Sequence, residues 1–100
     1  MTTGDIMNPK RQATLALLIP AAVKCFAEGL DTVRHISKEA GLPPATIHYY
    51  FKTKDELYEH CVKLAHTDPT RRDYAKILVR YYTDSDDLRN AQDVLARYHG

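Results

Sequence analysis

Apolar residues recur along this chain at intervals of three and four, and nowhere alternate with period two for long enough to make a strand. The pattern predicts an all-α fold. Over residues 9–28, Leu15, Leu18, Ala22, Cys25 and Phe26 fall on one stripe. Pro20 interrupts that stripe, because proline lacks an N–H and clashes with the carbonyl four residues back. A single kinked helix is expected there, rather than a second helix opening at Pro20. Gly29 stops the segment, Leu30-Asp31 links it onward, and Thr32 is placed as an N-cap. Val33, Ile36, Ser37 and Ala40 then face inward, with Arg34, His35, Lys38 and Glu39 outward. Gly41 suits the left-handed residue after a helix, and Leu42 the apolar contact that follows it.

Pro44 fits the first position of the next helix, residues 44–51, where Ile47, Tyr50 and Phe51 share the core face. Ala45, His48, Tyr49 and Lys52 share the opposite one. Thr53-Lys54-Asp55-Glu56 is a capping box that opens a helix to about residue 67. Leu57, Tyr58, Cys61, Leu64 and Ala65 point inward from it. Asp68-Pro69 breaks the pattern. A helix over 70–82 carries Tyr74, Ile77, Leu78 and Tyr81, then Thr83-Asp84-Ser85 turns the chain. A last helix over 86–98 carries Leu88, Ala91, Val94, Leu95 and Tyr98. Residues 1–8, polar and small, read as a disordered tail.

Residues 32–51 thus read helix, glycine turn, helix, the helix-turn-helix arrangement whose second helix enters the major groove of DNA. Charge sharpens this. The whole chain carries only +1, yet between Thr32 and Lys54 stand Arg34, Lys38, Lys52 and Lys54 against Glu39 alone. Phosphate contacts by such cations supply affinity without sequence information. Arg34, Lys38, Thr46 and Lys54 are candidate backbone anchors. Ala45, His48 and Tyr49 are candidate base readers, and Ala45 and the Thr46 methyl suit a thymine methyl. Pro43, as N-cap, offers no side-chain acceptor, so the first amides of this helix are expected to stay open to water or phosphate.

Composition narrows the alternatives. One hundred residues with 44% hydrophobic and 27% charged content fit one globular domain whose modest core a second subunit would help. Cys25 and Cys61 do not make a disulfide framework and read as reduced buried thiols of a cytoplasmic protein. The apolar run at 15–23 is too short to span a membrane. No P-loop, dinucleotide fingerprint, nucleophile–base pair or carboxylate dyad is legible, so no enzyme and no cofactor are expected. His60, Cys61 and His66 lie at the wrong spacing for one metal-binding face, and Asp84, Asp86 and Asp87 lack the glycine and distal glutamate of a calcium loop.

The stretch AGLPPATIHYYFKTKDEL, residues 40–57, resembles the DNA-binding domain of TetR-family repressors, whose pattern runs roughly A-G-V-S-x-G-T-L-Y-x-H/Y-F-x-S-K-E-x-L. Ala40, Gly41, Thr46, Tyr50, Phe51, Lys54 and Leu57 match it. Leu42, Ala45, Ile47, Thr53 and Asp55 vary it conservatively. AAVKCFAEG, residues 21–29, resembles the family's first-helix stretch A-A-x-x-L-F-A-x-x-G. His48 stands where tyrosine is usual, Pro43 where serine is usual, and the link between Phe26 and Ile36 looks shorter than usual. The resemblance covers about residues 9–66. It implies phosphate contacts from Thr46 and Lys54, a DNA-facing Tyr49, and a Thr32 that starts a helix touching the backbone.

The expected organisation is therefore a tail over 1–8, a helix-turn-helix domain over 9–67, and a helical pair over 68–100. The family normally continues into a large ligand-binding domain. Two helices would not enclose a cavity of that size, so a small-molecule effector is not expected. Tyr74, Ile77, Leu78, Tyr81, Leu88, Leu95 and Tyr98 are assigned to a homodimer seam, since tyrosine tolerates both buried and wet surroundings. The expected DNA interface is Thr32, Arg34, Lys38, Pro44, Ala45, Thr46, His48, Tyr49, Lys52 and Lys54. The function expected is a dimeric repressor on a palindromic operator in double-stranded DNA. The alternative is a protein-interaction module, a truncated regulator that has lost specific DNA binding.

Overall fold

The computed structural model describes residues 9–97, and each regular element among them is a helix. In chain order these are α1 (Pro9–Ala27), α2 (Val33–Ala40), α3 (Pro44–Tyr50), α4 (Lys54–Thr67), α5 (Arg72–Asp84) and α6 (Leu88–Arg97). The tail expected over 1–8, and Tyr98 and His99, lie outside the described residues.

Helix α1 runs unbroken through Pro20. Ala16 and Pro20 are both exposed, so the hydrogen bond that proline removes lies on the side where water can replace it. At its end Gly29 is left-handed, with φ of 77°, and the Leu30 amide donates back to the Cys25 carbonyl at 2.8 Å. Arg80 from α5 completes this end. Its Nη1 donates to the Phe26 carbonyl at 3.3 Å, and its Nη2 lies 3.7 Å from the Asp31 carboxylate. A cation there complements the negative end of the helix dipole. A methyl group on Gly29 would sit 2.9 Å from Arg80 Nη1, so glycine leaves room as well as the backbone angle.

Helix α1 packs against α2, α4 and α5, while α5 also packs against α4 and α6, and α2 against α3. One apolar cluster joins all six helices. Leu18, Ala22 and Phe26 meet Ile36, Ile47, Leu57, Cys61, Ala65, Ile77, Leu78 and Val94 in it. The last two helices are thus built onto the same core that holds the helix-turn-helix. Val62, not anticipated from the sequence pattern, is buried as well.

The C-terminal half departs from expectation in three respects. First, α5 begins at Arg72, because Thr70 Oγ1 donates to Asp68 Oδ1 at 2.9 Å and the Arg71 amide to the Asp68 carbonyl, closing a turn over 68–71. Second, Thr83 and Asp84 remain helical. The chain turns instead at Asp86, with φ of 59°, where the Asp87 amide donates to the Tyr82 carbonyl at 2.7 Å. Asp87 Oδ1 then accepts from the Asn90 amide, which delays α6 to Leu88. Third, the presumed dimer seam divides. Ile77 and Leu78 are fully buried within the single chain, so they serve its own core. Tyr74 and Tyr81 are half-buried and pack against that core, Tyr74 beneath the Arg71 guanidinium at 4.6 Å. Leu88 and Leu95, the seam residues expected on α6, are 57% and 56% exposed, while Ala91 and Val94 take the core.

Candidate nucleic-acid interface

Helix α2 begins as the sequence requires. Thr32 is extended, and its hydroxyl accepts from the His35 amide at 3.2 Å while also meeting His35 Nδ1 at 2.7 Å. Ile36 is its buried anchor, and Val33, Ser37 and Ala40 are half-buried around it. Arg34 and Lys38 are exposed on the far side. Glu39, the acid of this segment, is engaged by Lys24 of α1 at 3.3 Å, which also raises the Lys24 pKa. The pair ties α2 to α1 and offsets the acid against a cation from outside the segment.

The turn that follows is tight. Gly41 is left-handed, with φ of 69°, and the amides of Gly41 and Leu42 both return to the Ser37 carbonyl at 2.9 and 3.1 Å. Ser37 Oγ donates to the Leu42 carbonyl. Nothing lies within 4 Å of a methyl group built on Gly41, so backbone conformation alone calls for glycine there.

Helix α3 opens at Pro44 with Pro43 as its N-cap and no side-chain cap bond. Fewer amides stay open than expected. Pro44 has no N–H, and the amides of Thr46 and Ile47 both turn back to the Pro43 carbonyl. Only Ala45 keeps an uncommitted amide in that turn. Ile47 is buried at 1% exposure and sets the helix rotation. Ala45, His48 and Tyr49 are consequently exposed, Tyr49 to 80%, and Thr46 is half-buried.

Tyr50 does not enter the core as expected. It is half-buried, with the Arg11 guanidinium of α1 at 5.3 Å above its ring. Tyr49 meets it edge-on at 5.0 Å. The start of α1 therefore braces the exposed aromatic face of α3, a contact that spacing within α3 could not reveal. The adjacent cations Lys10 and Arg11 were the only signal. Phe51 does pack against the core, and its ring meets His60 at 5.4 Å.

The capping box forms with one change of partner. Thr53 Oγ1 accepts from the Glu56 amide at 3.1 Å, and Glu56 Oε2 accepts from the amide of Lys52, at 3.1 Å, rather than from that of Thr53. Pro44 and Lys52 are exposed, whereas Lys54 is half-buried. Lys54 lines a hollow of about 200 Å³ with Phe26, Asp31, Asp55, Tyr58, Arg80 and Asp84. Lys54 thus faces a hollow shared with α1, α4 and α5 residues, whereas Arg34, Lys38, Ala45, His48, Tyr49 and Lys52 are exposed.

His60 and His66 do not converge with Cys61. His66 bonds the Val62 carbonyl through Nδ1 and the Tyr82 hydroxyl through Nε2, while Cys61 is buried. Among the described residues no group of three potential ligands could hold a metal, and no helix is long and apolar enough to cross a membrane.

Residues 18–61 match the model of a family described as bacterial regulatory proteins, tetR family. The match spans the second half of α1, all of α2 and α3, and the start of α4. No curated protein and no solved structure matches the chain.

Proposed function

We propose that this chain, whose residues 18–61 match the model of the tetR family of bacterial regulatory proteins, is a DNA-binding repressor that binds a palindromic operator as a homodimer. The observation that carries the reading is the division of α3. Ile47 is sunk in the core while Ala45, His48 and Tyr49 stand in solvent on a helix preceded by a tight glycine turn. An exposed tyrosine beside an exposed histidine adds little buried surface to the core, and both can bond base edges or phosphate.

In this reading Arg34, Lys38, Thr46 and Lys54 hold phosphates, with Lys52, Pro44 and the α2 start at Thr32 against the backbone. Ala45, His48 and Tyr49 lie over base edges. Repression follows from occupancy of a promoter. A two-fold dimer sets two α3 helices about one DNA turn apart, which calls for an inverted repeat. Leu88 and Leu95 offer the second subunit apolar surface on α6.

The test is fluorescence anisotropy on duplexes from the flanking genome at two salt concentrations, with wild type and Tyr49→Ala. Expected are nanomolar affinity for one palindrome, a steep fall with salt, and at least tenfold weaker binding by the variant. Weak binding that is indifferent to Tyr49 would overturn the reading and direct attention to a protein partner for α5 and α6.

A further inference from the structure

The exposed imidazole of His48 has a fixed polarity. Its Nδ1 lies 3.2 Å from the Lys52 carbonyl oxygen. A carbonyl only accepts, so Nδ1 carries the proton in this contact, and a neutral imidazole has only one N–H. Nε2 is then a bare lone pair on the opposite side of the ring. No other described residue bonds it, and the side chain is exposed.

The carbonyl that sets this polarity is itself anchored. The Phe51 amide donates to the Ile47 carbonyl at 2.9 Å, which ends α3 and turns the chain so that Lys52 comes back beneath His48. The Lys52 amide donates to Glu56 Oε2, and the Glu56 amide to Thr53 Oγ1. The capping box that starts α4 therefore also positions the acceptor that orients the ring on α3.

We propose that His48 is a specificity-determining residue that accepts a hydrogen bond, through Nε2, from a base amino group in the major groove. The proposal rests on the DNA-binding reading above and adds to it the hydrogen-bond sense of one contact. In the major groove the donors are adenine N6 and cytosine N4. Guanine offers N7 and O6, and thymine O4, all acceptors. A lone pair set against any of those meets another lone pair and leaves both unpaired. His48 thus calls for adenine or cytosine at one base of each half-site and disfavours guanine and thymine there. Tyrosine at the same place, with a rotatable hydroxyl that both donates and accepts, would impose no such rule.

The experiment has three parts, run at pH 8 on the full chain. Selection from a random duplex library with wild type and His48→Ala locates the base whose preference relaxes in the variant. That base is expected to be adenine or cytosine in the wild-type selection. Its exocyclic amino group is then deleted, with purine replacing adenine or 2-pyrimidinone replacing cytosine. Wild type should lose about tenfold in affinity and His48→Ala almost nothing, a comparison that cancels any general effect of the analogue on the duplex. Two-bond 15N–1H spectra of the free protein should show the neutral ring of His48 protonated at Nδ1. Guanine or thymine at the located base, equal losses for both proteins, or a ring protonated at Nε2 would each overturn the proposal. Enrichment of no sequence at all would instead remove the DNA-binding reading beneath it.

Discussion

Replacing Tyr58 with phenylalanine should make this protein more stable. The Tyr58 hydroxyl is buried and has no hydrogen-bond partner among the described residues. A buried polar group left unpaired costs about 1–3 kcal/mol. The ring itself is well placed, edge-on to Phe26 at a centroid distance of 4.9 Å and tilted against Tyr81 at 6.2 Å. Tyr58→Phe removes the desolvated oxygen and keeps both ring contacts. A gain of about 1 kcal/mol is expected, which for a domain of this size raises Tm by about 4–8 °C. Burial, with Asp84 adding to it and Arg80 opposing, also holds the Tyr58 phenol above its ordinary range. The folded chain then keeps a proton that the unfolded chain gives up, so stability falls as pH climbs past about 10. The variant should lack that part of the fall. Urea unfolding followed by far-UV circular dichroism, at fixed protein concentration, reads both effects. An unfolding free energy for Tyr58→Phe at pH 7 lower than wild type by more than about 0.5 kcal/mol would mean that the hydroxyl is satisfied in solution, and would refute the prediction.

Burial pushes the Cys61 thiol up from 9.0 to about 12, so here too the folded state retains a proton that the unfolded state loses. Between pH 9 and 11 the stability of Cys61→Ala should therefore decline less steeply than that of wild type, by about 1.4 kcal/mol per pH unit, and parallel slopes in denaturant titrations would contradict this. In the proposed homodimer Leu88 and Leu95 are the seam, since each leaves more than half of its surface uncovered, and full burial of a leucine is worth about 1.5–3 kcal/mol. Four such side chains in a two-fold dimer should make Leu88→Ala/Leu95→Ala dissociate at least a hundredfold more readily in sedimentation equilibrium. An unchanged dimer constant would place the seam elsewhere.

Much of the helix-turn-helix was legible because its determinants are local. Thr32 caps the amide three residues on, Gly41 takes the left-handed turn, Pro44 opens α3 and Thr53 opens α4. Each is fixed by chemistry within one turn of chain. The rotation of α3 was legible for the same reason, since burying Ile47 forces its neighbours His48 and Tyr49 outward. Tyr50 was not, because its environment is made by Arg11, a residue distant in sequence that no periodicity within α3 registers. The sequence marks Lys54 as a phosphate anchor but not the hollow it lines, which depends on Arg80 and Asp84 arriving from α5.

The last helix shows the limit of pattern reading in another way. At 100° per residue, Leu88, Ala91 and Leu95 fall within one narrow sector, and Val94 lies to one side of it. The apolar stripe is therefore wider than the groove that α5 offers. Pattern gives the width of the stripe, but only the packed neighbour decides which edge is covered. Ala91 and Val94 are small enough to approach α5 closely, and they take the core. That rotation leaves Leu88 and Leu95, seven residues apart, aligned along the outer edge. Two leucines in register over two turns are the spacing of a helix–helix seam. A face that folding does not need, yet keeps apolar at that spacing, is the surface the proposed homodimer would use.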